Sequence, residues 1–126
     1  MKEIMAIIRM NMMNKTKRAL ADIGIPSLTA KDVSGRGRGA VDMSILKGAD
    51  LGYEEAIAQL GNYKRLVSKR MISLIVPDKS VKKVVETIIG TNRTGKTGDG
   101  KIFVLPVMNA IRIRTNEEGD KAIDEM

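Results

Sequence analysis

The chain has 126 residues, a formal net charge of +7, and neither cysteine nor histidine. The two absences exclude disulfides, thiolate or imidazole metal sites and histidine-based catalytic triads. The longest apolar run, residues 4–8, is far shorter than the roughly 20 residues that a membrane span needs. We therefore expect one soluble, cytoplasmic domain without membrane insertion, and its positive charge points to an anionic partner.

The first half of the chain predicts a strand, a helix and a second strand. Residues 4–8 form an apolar run bounded by charge, which is typical of a central strand. From Asn14, a suitable N-cap residue, apolar residues follow at helical spacing until Gly24 and Pro26, which are expected to end the helix. A second strand is predicted over residues 28–33.

The second half repeats this order. Residues 71–76 predict a strand, Asp78 or Ser80 is expected to cap a helix that Gly90 ends, and residues 102–107 predict a buried strand. Two β-α-β units joined by a long loop predict a ferredoxin-like βαββαβ fold of the α+β class. Its four-stranded antiparallel sheet would carry both helices on one face, and the apolar strands suggest that oligomerisation covers the other face.

A glycine-rich stretch, residues 94–101, joins the second helix to the last predicted strand. Three glycines in six positions permit positive φ angles, which let several N–H groups converge on one anion, and Lys96 and Lys101 flank them. This pattern predicts a phosphate cradle. The spacing is not that of a P-loop, and no helix follows it, so the pattern fits an ordinary glycine-rich turn equally well.

Two further segments could carry function. Residues 110–115 alternate strictly, so a strand here would place Arg112 and Arg114 on one face as an anion clamp, although a solvent-exposed edge strand explains the pattern as well. The connection of about residues 36–69 is too long for a passive loop in so small a domain. A short helix over residues 50–60 and the apolar side chains of Leu46, Tyr53 and Leu66 suit a partner-binding tip; disorder without function is the alternative.

The sequence from Thr94, Thr-Gly-Lys-Thr-Gly-Asp-Gly-Lys-Ile-Phe-Val, closely resembles the nucleotide-binding B-loop of the PII nitrogen-regulatory signal proteins. Residues 1–9, 75–78 and 111–115 also resemble that family, and the resemblance covers nearly the whole chain. It implies a single PII-like domain over residues 1–126, with a T-loop at about 36–69, a B-loop at about 93–101 and a C-terminal segment at about 109–126.

The resemblance also implies a homotrimer, or a mixed assembly with a PII paralogue, that binds ATP with Mg²⁺, or ADP, between subunits. No catalytic or resident metal-binding residue is implied, and we expect Asp99 to stabilise the B-loop. The residues that match the family's nucleotide-binding positions are Thr29, Gly35, Gly37, Arg38, Ile75, Gly98, Asp99, Gly100, Lys101, Arg112 and Arg114.

One departure concerns 2-oxoglutarate. Lys69 matches the family lysine that meets the effector carboxylate, but Gly39 stands where the family has a glutamine that helps to hold 2-oxoglutarate and its Mg²⁺. Because Mg²⁺ requires near-octahedral oxygen ligands and glycine offers no side-chain oxygen, we expect direct 2-oxoglutarate binding to be weakened. A backbone carbonyl, water or paralogous subunit could compensate.

The longer T-loop and the segment Ile8-Arg9-Met10-Asn11 resemble the PII branch encoded beside nitrogenase genes in methanogens and anaerobic bacteria. The implied function is a non-catalytic sensor whose T-loop contacts a nitrogenase component; control of an ammonium transporter or of glutamine synthetase is the alternative. A nucleotide-hydrolysing enzyme is disfavoured by the absence of histidine. A nucleic-acid partner is disfavoured because Phe103, Tyr53 and Tyr63 are the only aromatic residues.

Overall fold

The computed structural model describes residues 1–37 and 66–123. Within these residues no helix is long and apolar enough to cross a membrane. Three short 3₁₀ turns accompany the regular elements, at Met10–Met12, Asp78–Ser80 and Gly119–Ala122. In chain order the strands and helices are β1 (Lys2–Arg9), α1 (Met13–Asp22), β2 (Thr29–Gly35), β3 (Val67–Val76), α2 (Val81–Asn92) and β4 (Lys101–Pro106).

The four strands form one sheet in the order β2-β3-β1-β4, and every neighbouring pair is antiparallel. In this register Ile4 of β1 lies opposite Leu74 of β3 and Val104 of β4. Both helices pack on one face, which confirms the predicted ferredoxin-like βαββαβ fold. The buried apolar side chains between helices and sheet are Ile4, Ala6, Ile8, Leu20, Ile25, Ile72, Leu74, Val76, Val84 and Ile88.

The opposite face of the sheet, which we call the open face, carries the odd-numbered residues of β1 and β3. Strand alternation sends Met5 and Ile7 of β1 and Met71 and Ile75 of β3 to this side, where each is half-buried. Phe103 of β4 pairs with Met5 and is 44% exposed. The open face is therefore apolar at its centre and polar or charged at its ends, and its coverage by other subunits stays a prediction.

The start of α1 differs from the prediction, and its end agrees with it. Asn14 lies inside the helix, and Met12 occupies the N-cap position without a side-chain cap, because a 3₁₀ turn runs directly into α1. Gly24 has a φ of +86°, and the N–H of Ile25 donates to the carbonyl of Leu20 at 2.9 Å. This is the Schellman ending that glycine favours.

The start and end of α2 also correct the prediction. Ser80 occupies the N-cap position but makes no side-chain cap bond, and the Asp78 carboxylate forms salt bridges instead. Gly90 does not end the helix, which continues to Asn92. The Asn92 amide donates from Nδ2 to Oγ1 of Thr16 at 3.0 Å, a buried bond that fixes the last turn of α2 against α1.

Two predicted strands near the C-terminus require correction. The last strand, β4, is an edge strand rather than a buried one, and Val104 is 47% exposed. No strand forms over residues 110–115. The chain instead turns back after Arg112, whose N–H and carbonyl bond to Glu117 and Asn116, and Asn116 makes the turn possible with a φ of +63°. Arg112 and Arg114 therefore do not share one strand face.

The long connection is described only at its two ends. The helix predicted over residues 50–60 and the side chains of Leu46 and Tyr53 lie outside the described residues. Leu66, which immediately precedes β3, is 62% exposed.

Candidate functional site

The B-loop lies at the end of the sheet from which the T-loop departs. Antiparallel pairing places Arg9, the last residue of β1, opposite Lys69 of β3, and Ile7 opposite Lys101, the first residue of β4. Gly35, the last residue of β2, pairs with β3 at the same end. The sheet thus brings the end of β1, the stem of the T-loop and the B-loop together.

Asp99 holds the B-loop from within. Its Oδ2 accepts hydrogen bonds from the backbone N–H groups of Thr94 and Gly95 at 2.8 and 2.9 Å, and its Oδ1 accepts from the Thr94 hydroxyl. The hydroxyl and N–H of Thr94, together with the Arg9 guanidinium, hold the pKa of Asp99 well below its ordinary value. The first half of the loop therefore already encloses an anion, the chain's own carboxylate, and Asp99 stabilises the loop as expected.

Two basic side chains tie the B-loop to the sheet. Arg9 donates from Nη1 to Oδ1 of Asp99 at 2.6 Å and from Nη2 to the carbonyl of Thr97 at 3.1 Å. Lys69 donates from Nζ to the carbonyl of Gly98 at 3.1 Å. Because Lys69 also lies in the T-loop stem, one ammonium group links the two loops directly.

Two glycines in the B-loop have backbone conformations and surroundings that a side chain would disrupt. Gly98 has a φ of +100° and Gly100 a φ of +110°. A Cβ at Gly100 would lie 2.0 Å from the carbonyl oxygen of Ile7, and one at Gly98 would lie 3.2 Å from Nη2 of Arg9. The loop backbone packs directly on β1 here, which is the close approach that glycine permits.

The donors left for an external anion lie in the second half of the loop. The N–H groups of Thr94 and Gly95 bond to Asp99, and the N–H of Lys96 donates to the Thr94 hydroxyl at 3.2 Å. An anion would therefore meet the later amides, from residue 97 onward, and the exposed Lys101 side chain. The phosphate cradle over residues 94–101 stays a prediction, and any anion there would meet mainly the C-terminal half of the loop.

A cavity of about 440 Å³ adjoins the B-loop on the side of the sheet that carries the helices. It lies between α2 and β4, and Asp99, Gly100 and Lys101 are among the residues that line it. Its walls are mainly aliphatic, and its volume is within the range of small-molecule sites.

Two of the predicted nucleotide-binding residues, Thr29 and Ile75, lie farther along the sheet. Thr29 of β2 lies opposite Ser73 of β3 on the open face. Ile75 lies two residues after Ser73 in β3 and faces the same side. From Lys69 to Ile75 the chain covers six residues of extended strand, or about 20 Å. Gly35 and Gly37 lie at the T-loop stem beside the B-loop end of the sheet, whereas Arg38 and Gly39 lie outside the described residues.

The C-terminal arginines occupy a turn of their own. Arg112 donates from Nη1 to Oε1 of Glu117 at 2.9 Å, and the Thr115 hydroxyl donates to the same oxygen at 2.7 Å. The Thr115 hydroxyl and the Arg112 charge lower the pKa of Glu117. Arg114 is exposed.

Sequence reasoning did not assign a site role to Arg9 or to Thr94, yet both organise the B-loop. Arg9 is the last residue of a strand whose odd positions face the open side, so its orientation follows from alternation. Its partner Asp99 is 90 positions away, and no local pattern links the two. Thr94 could have been found as the first residue of the glycine-rich motif.

All comparisons with known proteins point to the same protein family. The family model described as "Nitrogen regulatory protein P-II" matches residues 1–117. "Nitrogen fixation nifHD region GlnB-like protein 2" of Methanobacterium ivanovii is 48% identical over 128 residues, covering 98% of this chain and 99% of that protein. The protein of the same name from Methanococcus maripaludis is 44% identical, with 98% and 100% covered.

Proteins that are less similar to this chain also match it over nearly its full length. "Nitrogen regulatory protein P-II 1" of Escherichia coli strain K12 is 41% identical, with 98% of this chain and 100% of that protein covered. Among solved structures, a crystal structure of Arabidopsis thaliana PII bound to citrate aligns with a TM-score of 0.72 and 34% identity, and covers 99% of this chain and 90% of that one.

Proposed function

Because this chain belongs to the nitrogen regulatory protein P-II family, we propose that it senses ATP and ADP at the B-loop and reports them to a target protein through the T-loop. The ligand changes the T-loop only through contacts that differ between the conformations of that loop. Lys69, which lies in the T-loop stem and bonds to the B-loop carbonyl of Gly98, is the described residue that can couple the two.

The B-loop geometry is the single observation that carries this proposal. Gly100 packs on the Ile7 carbonyl with no room for a side chain, and Asp99 fills the first half of the loop. Arg9, at the end of β1, donates to Asp99 and to the Thr97 carbonyl. The later amides and Lys101 are thereby held in place for a phosphate group before any ligand arrives. Mg²⁺ would arrive with ATP, since it is usually bound through phosphates and one or two protein oxygens.

A trimeric assembly, homomeric or mixed with a paralogue, completes the proposed site. The open face is apolar at its centre, and Met108 and Ile113 are almost wholly exposed in the single chain, as expected of surfaces that meet another subunit. Arg112 and Arg114 of a neighbouring subunit would then reach the phosphates bound at this B-loop.

A second ligand, 2-oxoglutarate, would bind weakly beside the nucleotide. The Lys69 ammonium donates to the Gly98 carbonyl, so an acidic effector must compete with the B-loop for it. Gly39 supplies no side-chain oxygen to a Mg²⁺ chelate. The Arabidopsis PII structure holds citrate, which supports a small acidic effector in this family.

The proposed target is a nitrogenase component. The relatives from Methanobacterium ivanovii and Methanococcus maripaludis carry names that refer to nitrogen fixation and to the nifHD region, and they match this chain over nearly its full length. An ammonium transporter or glutamine synthetase is the alternative target. Co-purification with the nitrogenase components, glutamine synthetase or ammonium transporter vesicles, each with MgATP and with ADP, distinguishes them: nucleotide-dependent capture of a nitrogenase component alone is expected.

Nucleotide binding is tested by calorimetric titration with MgATP and with ADP, each with and without saturating 2-oxoglutarate. We expect MgATP to bind once per subunit and 2-oxoglutarate to have little effect. Lys101→Ala should weaken MgATP binding roughly 10-fold to 100-fold, because a charge-assisted bond to phosphate is lost. Lys82→Ala, which removes an exposed charge from α2, is the matched control. No binding of either nucleotide would refute the proposal.

The protein is proposed to act without catalysis. Both oxygens of Asp99, the acidic residue of the B-loop, accept hydrogen bonds within the loop, so the carboxylate is poorly placed to serve as a general base. Phosphate release from ATP that Lys101→Ala abolishes would contradict this part of the proposal.

A further inference from the structure

The cavity between α2 and β4 combines aliphatic walls with a few polar groups. The aliphatic residues that line it include Val85, Ile88, Ile89, Ile102 and Val104. Polar residues line it where α2 stops, at Asn92 and Arg93, and where β4 begins, at Lys101. A cavity of about 440 Å³ with this lining suits a small molecule that has an apolar body and a polar head.

Asn92 carries an unused hydrogen-bond acceptor in the wall of this cavity. The residue is 5% exposed, and its Nδ2 donates to the carbonyl of Ile88 at 2.9 Å and to Oγ1 of Thr16 at 3.0 Å. Because a carbonyl can only accept, these bonds fix which side of the amide carries the oxygen. Oδ1 is buried and has no hydrogen-bond partner among the described residues. Such an acceptor is costly unless a donor reaches it.

The charges near this acceptor favour a ligand that has both an amine and a carboxylate. Asn92 is the last residue of α2, and the carbonyls at the end of a helix carry partial negative charge, which attracts an ammonium group. Arg93 follows directly, is exposed and forms no salt bridge within the described chain, so its guanidinium can bind a carboxylate. Asp99, which also lines the cavity, is already paired with Arg9.

We propose that this cavity binds an α-amino acid with a branched aliphatic side chain. Its ammonium donates to Oδ1 of Asn92, its carboxylate meets Arg93, and its side chain packs on the aliphatic walls. Because Oδ1 is shielded from solvent in the single chain, we expect Ile89, half-exposed and three positions earlier on the same helix, to change rotamer as the ligand enters. This ligand is additional to the proposed nucleotide, and its binding is measured with no nucleotide present.

Three related compounds separate the parts of the ligand. Wild type is titrated with L-leucine, with isocaproate, which lacks only the amine, with isoamylamine, which lacks only the carboxylate, and with L-alanine, which lacks most of the aliphatic side chain. Binding is followed by nuclear magnetic resonance. L-leucine should bind roughly 10-fold or more tightly than each of the others, because each loses a charge-assisted bond or apolar contact. Isocaproate binding as tightly as L-leucine, or no binding of L-leucine, would overturn the inference.

Two variants test the position of the ligand. Arg93→Ala should weaken L-leucine binding roughly 10-fold and leave isoamylamine binding unchanged, since that amine has no carboxylate to lose. Arg18→Ala, exposed on α1, is its control. Val104→Trp, on the edge strand, should fill the cavity and abolish binding, whereas Val67→Trp changes a similarly exposed strand valine outside the cavity and should not. L-leucine binding that survives Val104→Trp would place the ligand elsewhere and refute the proposed site.

Asn92→Leu tests the acceptor itself. The preference for L-leucine over isocaproate should fall to unity or below, because the variant and isocaproate each remove the same bond. Comparing two ligands within one variant cancels any change in stability that follows from loss of the bond to Thr16, and circular dichroism checks the fold. An unchanged preference in the folded variant would show that Oδ1 does not hold the amine. If the variant does not fold, the comparison of Arg93→Ala with wild type decides.

Discussion

The B-loop and the C-terminal segment both present basic side chains on a turning backbone, but they are held in different ways. Arg9 and Lys69 reach the B-loop from β1 and β3, across 90 and 29 positions of sequence. The C-terminal turn is closed by Arg112 and Glu117, which are five positions apart. The first is fixed by the tertiary fold, and the second by local contacts.

The difference matters because anion binding depends on donors that are already in place. A loop that must order itself on binding loses affinity to conformational entropy, whereas one tied to two strands does not. Substitutions that remove the contacts between the B-loop and the strands should therefore lower both the stability of the loop and its affinity for nucleotides. The C-terminal segment should lose affinity alone.

Gly100→Ala should have the largest effect. The added Cβ would lie 2.0 Å from the Ile7 carbonyl oxygen at a φ of +110°, so the loop must lift from β1. We expect a loss of about 2–4 kcal/mol in the free energy of unfolding, measured by urea denaturation. MgATP affinity, measured by calorimetry, should fall roughly 100-fold or more, because the loss spans several donors of about 1–3 kcal/mol each.

Gly90→Ala is the matched control, since this glycine lies inside α2 and a Cβ there meets nothing within 4 Å. That change should raise the free energy of unfolding by about 0.5–1 kcal/mol and leave MgATP affinity unchanged. Equal effects of the two substitutions would show that the close packing of the B-loop on β1 is unimportant.

Asp99→Asn should release the first half of the B-loop. The neutral amide keeps the shape of the carboxylate but weakens the bonds from the Thr94 and Gly95 N–H groups and from Arg9. Hydrogen exchange at these two N–H groups should become faster, and MgATP affinity should fall roughly 10-fold. Wild-type exchange in this variant would mean that the charge of Asp99 does not hold the loop.

The same carboxylate gives the B-loop a defined dependence on pH. Because the folded-state pKa of Asp99 is lowered, its ionised form stabilises the loop at every pH above its ordinary value of about 4, and this contribution is lost only as pH falls further, through the folded pKa. Protection of the Thr94 and Gly95 amides, corrected for intrinsic exchange rates, should stay constant from pH 7 to about 4.5. A decline within that interval would contradict the assignment.

The sequence was sufficient to predict the fold because its strands and helices differ in period and are separated by glycine and proline. Residues 4–8 and 71–76 both lie within observed strands, and Gly24 ends α1 as predicted. The errors occur where local pattern competes with tertiary contacts. Gly90 was predicted to end α2, but the buried Asn92 and Thr16 side chains hold one further turn.

The candidate site was predictable only in part for the same reason. The glycines of the B-loop are visible as a motif, whereas the bond from Arg9 to Asp99 depends on strand order and register. Alternation alone placed Arg112 and Arg114 on a strand, but no neighbouring strand is available in the described chain, and Asn116 turns the backbone instead. The alternating sequence pattern was therefore insufficient evidence for a strand, because a strand also needs a neighbouring strand with which to pair.

Arg9→Lys should have a moderate effect, smaller than that of Asp99→Asn. Lysine keeps the charge but cannot donate to Asp99 and to the Thr97 carbonyl at once, as the guanidinium does. We expect a lowering of the thermal midpoint by about 3–6 °C and MgATP binding weakened by roughly 5-fold. Arg18→Lys, on the exposed side of α1, is the control, and an equal midpoint for both variants would contradict the role of the guanidinium fork.

Arg114→Ala should change stability least, and it separates the two regions most clearly. The side chain is exposed, so we expect the thermal midpoint to stay within about 1 °C of wild type, whereas MgATP affinity should fall roughly 10-fold if this arginine reaches phosphates at a neighbouring subunit's B-loop. Mixing Arg114→Ala with Lys101→Ala chains is decisive, because sites shared between subunits would combine an intact B-loop with an intact arginine. Recovery of part of the wild-type affinity in the mixture is expected, and its absence would place both residues at a site within one chain.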